Sequence, residues 1–124
     1  MPNGWTPRPL HRPHRVMVVG RATQTFFAAS EEEKDSRFMP RFKQVLDEWE
    51  QLGARMVASF CDDVFQVGPN RHPWAWNLIY EMDDLDVGAA MVQAVREAVD
   101  GVRLDTYVEL ELRVGRAFFA REET

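Results

Sequence analysis

The chain has 124 residues, of which 45% are hydrophobic and 28% are charged, and its formal net charge is −5. These values predict one globular domain and exclude an intrinsically disordered chain. An acidic surface repels phosphate backbones, so nucleic acid is not an expected partner. The sequence contains no apolar stretch long enough to span a membrane. The lone Cys61 cannot form an internal disulfide. We therefore expect a cytoplasmic protein that does not bind membranes.

Residues 1–14 are predicted to form a flexible N-terminal tail, and residues 15–124 a single domain. Four prolines lie in this tail, and each of them fixes φ and removes a backbone hydrogen-bond donor. Basic residues between the prolines, such as Arg8 and Arg12, leave two interpretations open, a basic contact arm or a solvated leader.

The first half of the domain predicts a strand followed by a helix. Residues 16–25 begin with an apolar run that suits a central strand, and Gly20 indicates a bulge or a close approach of the backbone. Ser30 and Glu33 have the spacing of a helix capping box. Because proline lacks an N–H donor, Pro40 should begin or kink the helix. This predicts a short turn at 31–38 and a longer helix at 39–52.

Two strands, a second helix and a last strand follow. Residues 55–60 and 74–82 alternate in the manner of strands, and residues 64–67 could extend the first of them beyond a bulge. Carboxylates at 83–86 suit the start of a helix. Residues 107–114 alternate apolar and polar side chains without interruption, which predicts a strand with one polar face.

The resulting β-α-β-β-α-β order predicts an α+β fold of the ferredoxin-like type, with a four-stranded antiparallel sheet and both helices on one face. The other face would carry Tyr107, Glu109, Glu111 and Arg113 beside more apolar residues of neighbouring strands. A second copy could cover this face, so we expect a homodimer. Two phenylalanines within residues 117–120 would pack on the partner subunit or on the chain's own sheet edge.

Element order and length over residues 15–120 resemble the dimeric α+β barrel superfamily. Shorter segments resemble darcynin-type proteins, a group with no clear activity. The segments that carry this second resemblance are Arg21-Ala22-Thr23, Ser30 to Asp35, Phe60 to Asp62 and Glu81 to Asp86. The superfamily includes cofactor-free monooxygenases of antibiotic biosynthesis, polyketide cyclases, muconolactone isomerases, haem enzymes and non-catalytic members. The resemblance implies a dimeric barrel.

Aromatic and amide side chains cluster on the third strand, where Trp74, Trp76, Asn77 and Tyr80 are the candidate substrate-binding residues. Tryptophan and tyrosine give flat apolar walls, and an amide can stabilise an enolate or phenolate. The antibiotic-biosynthesis monooxygenases are similar in using these residue types. Strand alternation places Asn77 on the face opposite Trp76 and Tyr80. Core packing under the helices is the alternative role for both tryptophans.

Arg21, Asp62 and His72 are the candidate catalytic residues. Arg21 lies near the end of an apolar strand, where an unpaired charge is costly, so Asp62 could pair with it. Such a pair could bind a substrate carboxylate or position a proton, or it could be a structural salt bridge. His72 titrates near neutrality and could act as an acid or base, or it could be only a solvated loop residue. Cys61 is predicted to be a small buried side chain.

No metal or organic cofactor is expected, because the three histidines and one cysteine do not form a ligand motif. The leading hypothesis is a small accessory enzyme of specialised or aromatic metabolism. It would be a cofactor-independent monooxygenase, cyclase or isomerase acting on an aromatic or polyketide-like molecule. The alternative is a non-catalytic dimer that binds a small molecule or another protein. A cavity between the first long helix and the third strand would distinguish a ligand pocket from a tightly packed core.

Overall fold

The structure, a computed structural model, describes residues 12–69 and 75–116. Four strands form one antiparallel sheet, and they are β1 (His14–Ala22), β2 (Arg55–Cys61), β3 (Trp76–Met82) and β4 (Val108–Gly115). Their order across the sheet is β2-β3-β1-β4, so β1 and β3 are central and β2 and β4 are edge strands. The predicted α+β class and the four-stranded antiparallel sheet are confirmed.

The helices are α1 (Gln24–Ala28), α2 (Glu31–Glu33), α3 (Met39–Leu52) and α4 (Asp86–Arg96), with a π-helical segment (Lys34–Phe38) between α2 and α3. The Ser30 hydroxyl caps α2 by accepting the Glu33 N–H at 3.1 Å. Pro40 lies in the first turn of α3, directly after the π-helical segment, where the helical hydrogen-bonding pattern changes. Gly53 ends α3 with a φ of 108°, which favours glycine. The predicted longer helix at 39–52 is confirmed by α3, whereas residues 31–38 form α2 and the π-helical segment in place of the predicted short turn, and α1 was not predicted.

Helices α3 and α4 pack on one face of the sheet. Val16 and Val18 of β1 point into this layer and are fully buried, and they are opposite Tyr80 and Leu78 of β3. The intervening residues of β1, such as Met17, lie on the other side, which we call the open face. Glu109, Glu111 and Arg113 of β4 are exposed and are paired in register with open-face residues of β1.

Some predicted segments lie outside the described residues, namely residues 1–11 of the tail, the loop residues 70–74 and the C-terminal residues 117–124. Residues 64–67 do not extend β2, since they form no strand and are exposed. Within the described ranges, no helix is long and apolar enough to cross a membrane.

Tyr107 departs from the predicted polar stripe. It follows a 3₁₀ turn (Leu104–Thr106) and precedes β4, and its side chain is buried. Its ring packs edge-on against Phe38 with centroids 5.6 Å apart, and its hydroxyl donates to Glu33 Oε2 at 2.7 Å. This hydrogen bond raises the pKa of Tyr107, because losing the proton would place two negative charges side by side.

A bulge at Val57 changes which residues of β2 face the helices. Met56 pairs with a helix-facing residue of β3, whereas Ala58 pairs with a residue of the open face. The two segments of β2 therefore alternate out of phase, since one extra residue reverses every later side chain. Ser59 and Cys61 consequently point towards the helix side. Plain alternation over residues 55–60 would place Met56 and Ala58 on one face, and the bulge is the reason that they lie on opposite faces.

Arg41 is a buried charge that the sequence pattern did not single out. Its side chain is 2% exposed, and its Nη2 donates to the carbonyl oxygens of Ala94 at 2.9 Å and Glu97 at 3.2 Å. Its Nη1 lies 3.3 Å from Glu48 Oε1. The last carbonyls of a helix carry partial negative charge and lack intrahelical partners. Arg41 therefore fastens α3 to the C-terminal end of α4.

Trp49 provides a second link between the same two helices. Its indole Nε1 donates to the carbonyl oxygen of Met91 at 3.0 Å, and both side chains are fully buried. The two links lie eight residues apart on α3, which fixes the position of this helix over the sheet.

We predict that Arg41→Met destabilises the fold by about 2–4 kcal/mol, because it removes charged hydrogen bonds to buried carbonyls. The measurement is urea unfolding followed by circular dichroism. Lys43→Met, at an exposed position of the same helix, is the matched control and should change stability by less than about 0.5 kcal/mol. Equal effects of the two substitutions would contradict the role of Arg41.

Candidate functional site

A cavity of about 460 Å³ lies between α3 and the helix-facing side of the sheet. Natural small-molecule sites enclose roughly 300–1,000 Å³, so the space is of ligand size. Its aromatic lining residues come from α1, the π-helical segment, α3, β2 and β3, and they are Phe26, Phe38, Phe42, Trp49, Phe60 and Trp76. A cavity is therefore present where the ligand-pocket hypothesis requires one.

Four of these rings form a continuous wall. Phe26 meets Phe38 edge-on with centroids 5.1 Å apart, and Phe38 stacks on Phe42 at 5.6 Å with only 10° between the ring planes. Phe42 in turn lies 6.3 Å from Trp76. Such rings hold one another in place, so the wall presents flat apolar faces at low entropic cost.

Gly20 allows β1 to form the floor of the cavity. A Cβ atom at this position would come within 2.8 Å of Leu110 Cδ2 and 3.1 Å of Trp76 Cε3. The absence of a side chain thus lets the Leu110 and Trp76 side chains pack directly over the β1 backbone. The close approach predicted at Gly20 is confirmed.

The polar part of the lining comes from β2. Ser59 and Cys61 line the cavity, and the bulge at Val57 is what turns them towards it. Both residues are exposed, as is every residue of β2, so the helix layer leaves this edge of the sheet uncovered. The cavity thus meets solvent beside β2, and none of the described residues that line it carries a charge.

Cys61 is exposed, and the expectation of a buried side chain is wrong because α3 does not cover β2. Partial loss of hydration raises the pKa of the thiol, and the carboxylates of Asp63 and Asp62 raise it further. The thiol therefore stays protonated at neutral pH, which makes it a weak nucleophile.

Asp62 is held by the start of β3. Its carboxylate accepts the backbone N–H of Ala75, and it accepts from Asn77 Nδ2 and from Gln66 Nε2, each at 3.4 Å. These hydrogen bonds, above all the one from Ala75, lower the pKa of Asp62, and the nearby Arg21 guanidinium adds to the effect. Asp62 is therefore a carboxylate near neutral pH and only a weak base.

Arg21 lies on the open face, where β1 pairs it with Glu109. Its Nε is buried without a hydrogen-bond partner. Arg21 and Asp62 make no ion pair within the described part of the chain, although they are near enough for Arg21 to lower the pKa of Asp62. The charges of these two candidate catalytic residues therefore interact, but neither residue lines the cavity.

The candidate substrate-binding residues are divided between the two faces of the sheet. Trp76 lines the cavity. Tyr80 is buried deeper, packs edge-on against Trp49 at 5.6 Å and does not line the cavity. Burial, with the Glu50 carboxylate, raises the pKa of Tyr80 to about 12. Asn77 lies opposite Trp76, as strand alternation predicts, and contacts Asp62. Trp74 and His72 lie outside the described residues.

Sequence reasoning missed most of the lining. The helical spacing of Phe38, Phe42 and Val45 predicts a buried stripe, but nothing in that periodicity separates a residue facing a cavity from one packed in the core. Ser59 gave no signal, since its orientation depends on the bulge at Val57.

No family model matches the chain, and no curated protein or solved structure matches it. The resemblance to dimeric α+β barrels and to darcynin-type proteins therefore depends on element order and short sequence matches alone. Among residues 12–69 and 75–116, no group of three histidine, cysteine, aspartate or glutamate side chains could hold a metal ion.

We predict that Asp63→Asn lowers the pKa of the Cys61 thiol, because one of the carboxylates that disfavour the thiolate is removed. The measurement is the rate of alkylation by iodoacetamide as a function of pH, which follows the thiolate fraction. In the unchanged protein the midpoint should lie above the ordinary cysteine value, and the variant should react faster at pH 8. A midpoint that does not move would contradict the influence of Asp63.

Proposed function

We propose that this chain binds a small aromatic or polyketide-like molecule in the cavity between α3 and the sheet. The observation that carries the proposal is an apolar cavity of about 460 Å³ between α3 and the sheet, lined on its helix side and on β3 by five aromatic residues, Phe26, Phe38, Phe42, Trp49 and Trp76. A packed core would leave no such space, since protein interiors are filled to near-crystalline density. Flat rings in the walls match flat rings in a ligand.

We predict that the uncharged fluorescent probe N-phenylnaphthylamine binds in this cavity and that Ser59→Trp weakens its binding about tenfold or more. The new indole would occupy the cavity from β2, where the exposed strand tolerates a larger side chain. The measurement is a fluorescence titration. Val64→Trp is the control, because Val64 is 84% exposed and lies beyond the sheet and outside the cavity lining. Equal losses in both variants, or no binding to the unchanged protein, would contradict the site.

A second candidate is a catalytic version of the same pocket, namely a cofactor-independent monooxygenase, cyclase or isomerase. The observation that favours it is that Trp76 and Phe42 lie side by side in the aromatic wall, which offers a flat apolar surface to an aromatic substrate that itself supplies the electrons. The lining of the cavity weighs against it. Proton abstraction needs a base and a group that stabilises the resulting anion, and the described lining offers only a hydroxyl and a thiol. Arg21 and Asp62 would have to act from outside this lining.

We further propose that the fold is ferredoxin-like and that two copies pair through their open faces as a dimeric barrel. The strand order with β1 and β3 in the centre supports the fold. The centre of the open face is apolar, with Met17 opposite Ile79, and Met17 is 36% exposed. Ion pairs border it, including Arg15 with Glu81 at 3.6 Å. An apolar centre with a charged rim is typical of a protein interface.

We predict that the full chain is a dimer at micromolar concentration and that Ile79→Glu makes it a monomer, because a carboxylate would be buried at the centre of each interface. The measurement is sedimentation velocity, with circular dichroism to show that the variant is folded. Val64→Glu changes an equally apolar residue, 84% exposed and beyond the sheet, and should leave the dimer intact. A monomeric unchanged protein would contradict the barrel.

We propose that the protein is cytoplasmic, and its cysteine supports this proposal. Cys61 is the only cysteine and its thiol is exposed. An exposed free thiol persists in a reducing compartment and is readily oxidised or cross-linked outside one.

A further inference from the structure

The charges around the cavity are distributed unevenly. None of the described lining residues is an acid or a base, so a ligand inside meets no counter-ion. A charged group that enters such a cavity loses hydration and gains no ionic partner, which is costly. This excludes ligands whose charge would sit among the rings.

The entrance beside β2 is negatively charged. Asp62 and Asp63 follow the lining residue Cys61 directly in the chain. The Ala75 and Asn77 hydrogen bonds fix the Asp62 carboxylate at this end of β2, on the side of the open face where Asn77 lies. Both carboxylates disfavour the Cys61 thiolate, and the same field acts on any anion that reaches this end of the cavity.

The cations near the cavity offset this field only in part. Lys34 lies over the ring of Phe26, 4.7 Å from its centroid, and is paired with Glu31 at 3.5 Å. It begins the π-helical segment, at the α1 end of the cavity. Arg21 lies on the open face and acts on Asp62, whose pKa it lowers.

The polar lining gives a ligand one preferred orientation. Its only hydroxyl and thiol side chains among the described residues, Ser59 and Cys61, lie on the same side of β2. An uncharged N–H or O–H group can hydrogen-bond the Ser59 hydroxyl while the rings lie against Phe42 and Trp76. A carboxylate in the same place would come close to Asp63, which follows Cys61 by two residues and is the carboxylate that acts more strongly on its thiol.

We infer that the ligand of this cavity is an uncharged, flat aromatic molecule whose one polar group points to Ser59 and Cys61, and that Asp63, with a smaller contribution from Asp62, excludes anionic analogues. This inference rests on the proposed binding function. It names the charge and the orientation of the ligand, which the proposed function leaves open.

The test compares two probes that differ by a sulfonate, the neutral N-phenylnaphthylamine and the anionic anilinonaphthalene sulfonate, by fluorescence titration at low salt. The neutral probe should bind the full chain roughly tenfold more tightly, as expected for like charges a few ångströms apart at a protein surface. Asp63→Asn should strengthen binding of the sulfonate several-fold and leave the neutral probe unchanged. Added salt should narrow the gap between the probes.

Asp100→Asn is the matched control. It removes the same charge from an exposed turn between α4 and β4, so it should leave the ratio of the two affinities unchanged. Two results would overturn the exclusion of anions but leave the proposed binding function standing. One is tighter binding of the sulfonate than of the neutral probe, and the other is an equal change in the ratio of the two affinities in both variants. If neither probe binds, the cavity is not a ligand site and the proposed function is overturned with it.

Discussion

The buried guanidinium of Arg41 is the constraint on which the arrangement of this molecule depends. By donating to the last carbonyls of α4 it places α3 beside that helix, and the Trp49 indole repeats the link further along. A helix held against α4 cannot also cover the far edge of the sheet. All residues of β2 are consequently exposed, and the space between α3 and this strand is the cavity.

A hydrophobic core would ordinarily fill such a space, because an unfilled void forfeits dispersion contacts. Here the rings of Phe26, Phe38, Phe42 and Trp76 support one another along one wall, and Gly20 keeps the floor low. The wall is stable without a ligand because its contacts are ring to ring. The same arrangement leaves a flat apolar surface on which an aromatic ring of a ligand can pack.

Most elements of the fold follow from local rules that the sequence shows, although α1 was not predicted. The cap at Ser30, the first-turn Pro40 and the left-handed Gly53 each act within a few residues, so they can be recognised without the tertiary structure. Arg41 could not be recognised in this way, because its partners are carbonyls more than 50 residues distant. The bulge at Val57 also escapes a simple alternation rule, although it decides that Ser59 and Cys61 face the cavity. The sequence therefore predicted Trp76 and the strand that carries it as part of the site, but it did not predict that Ser59 and Cys61 supply the polar lining.

A crystal structure of the full chain with N-phenylnaphthylamine would test the account most directly. The account predicts density for the probe between α3 and β3, with its rings against Phe42 and Trp76 and its N–H directed to Ser59. Density for the probe on the open face or at the surface, with α3 closed down on β2 and no space remaining, would contradict it.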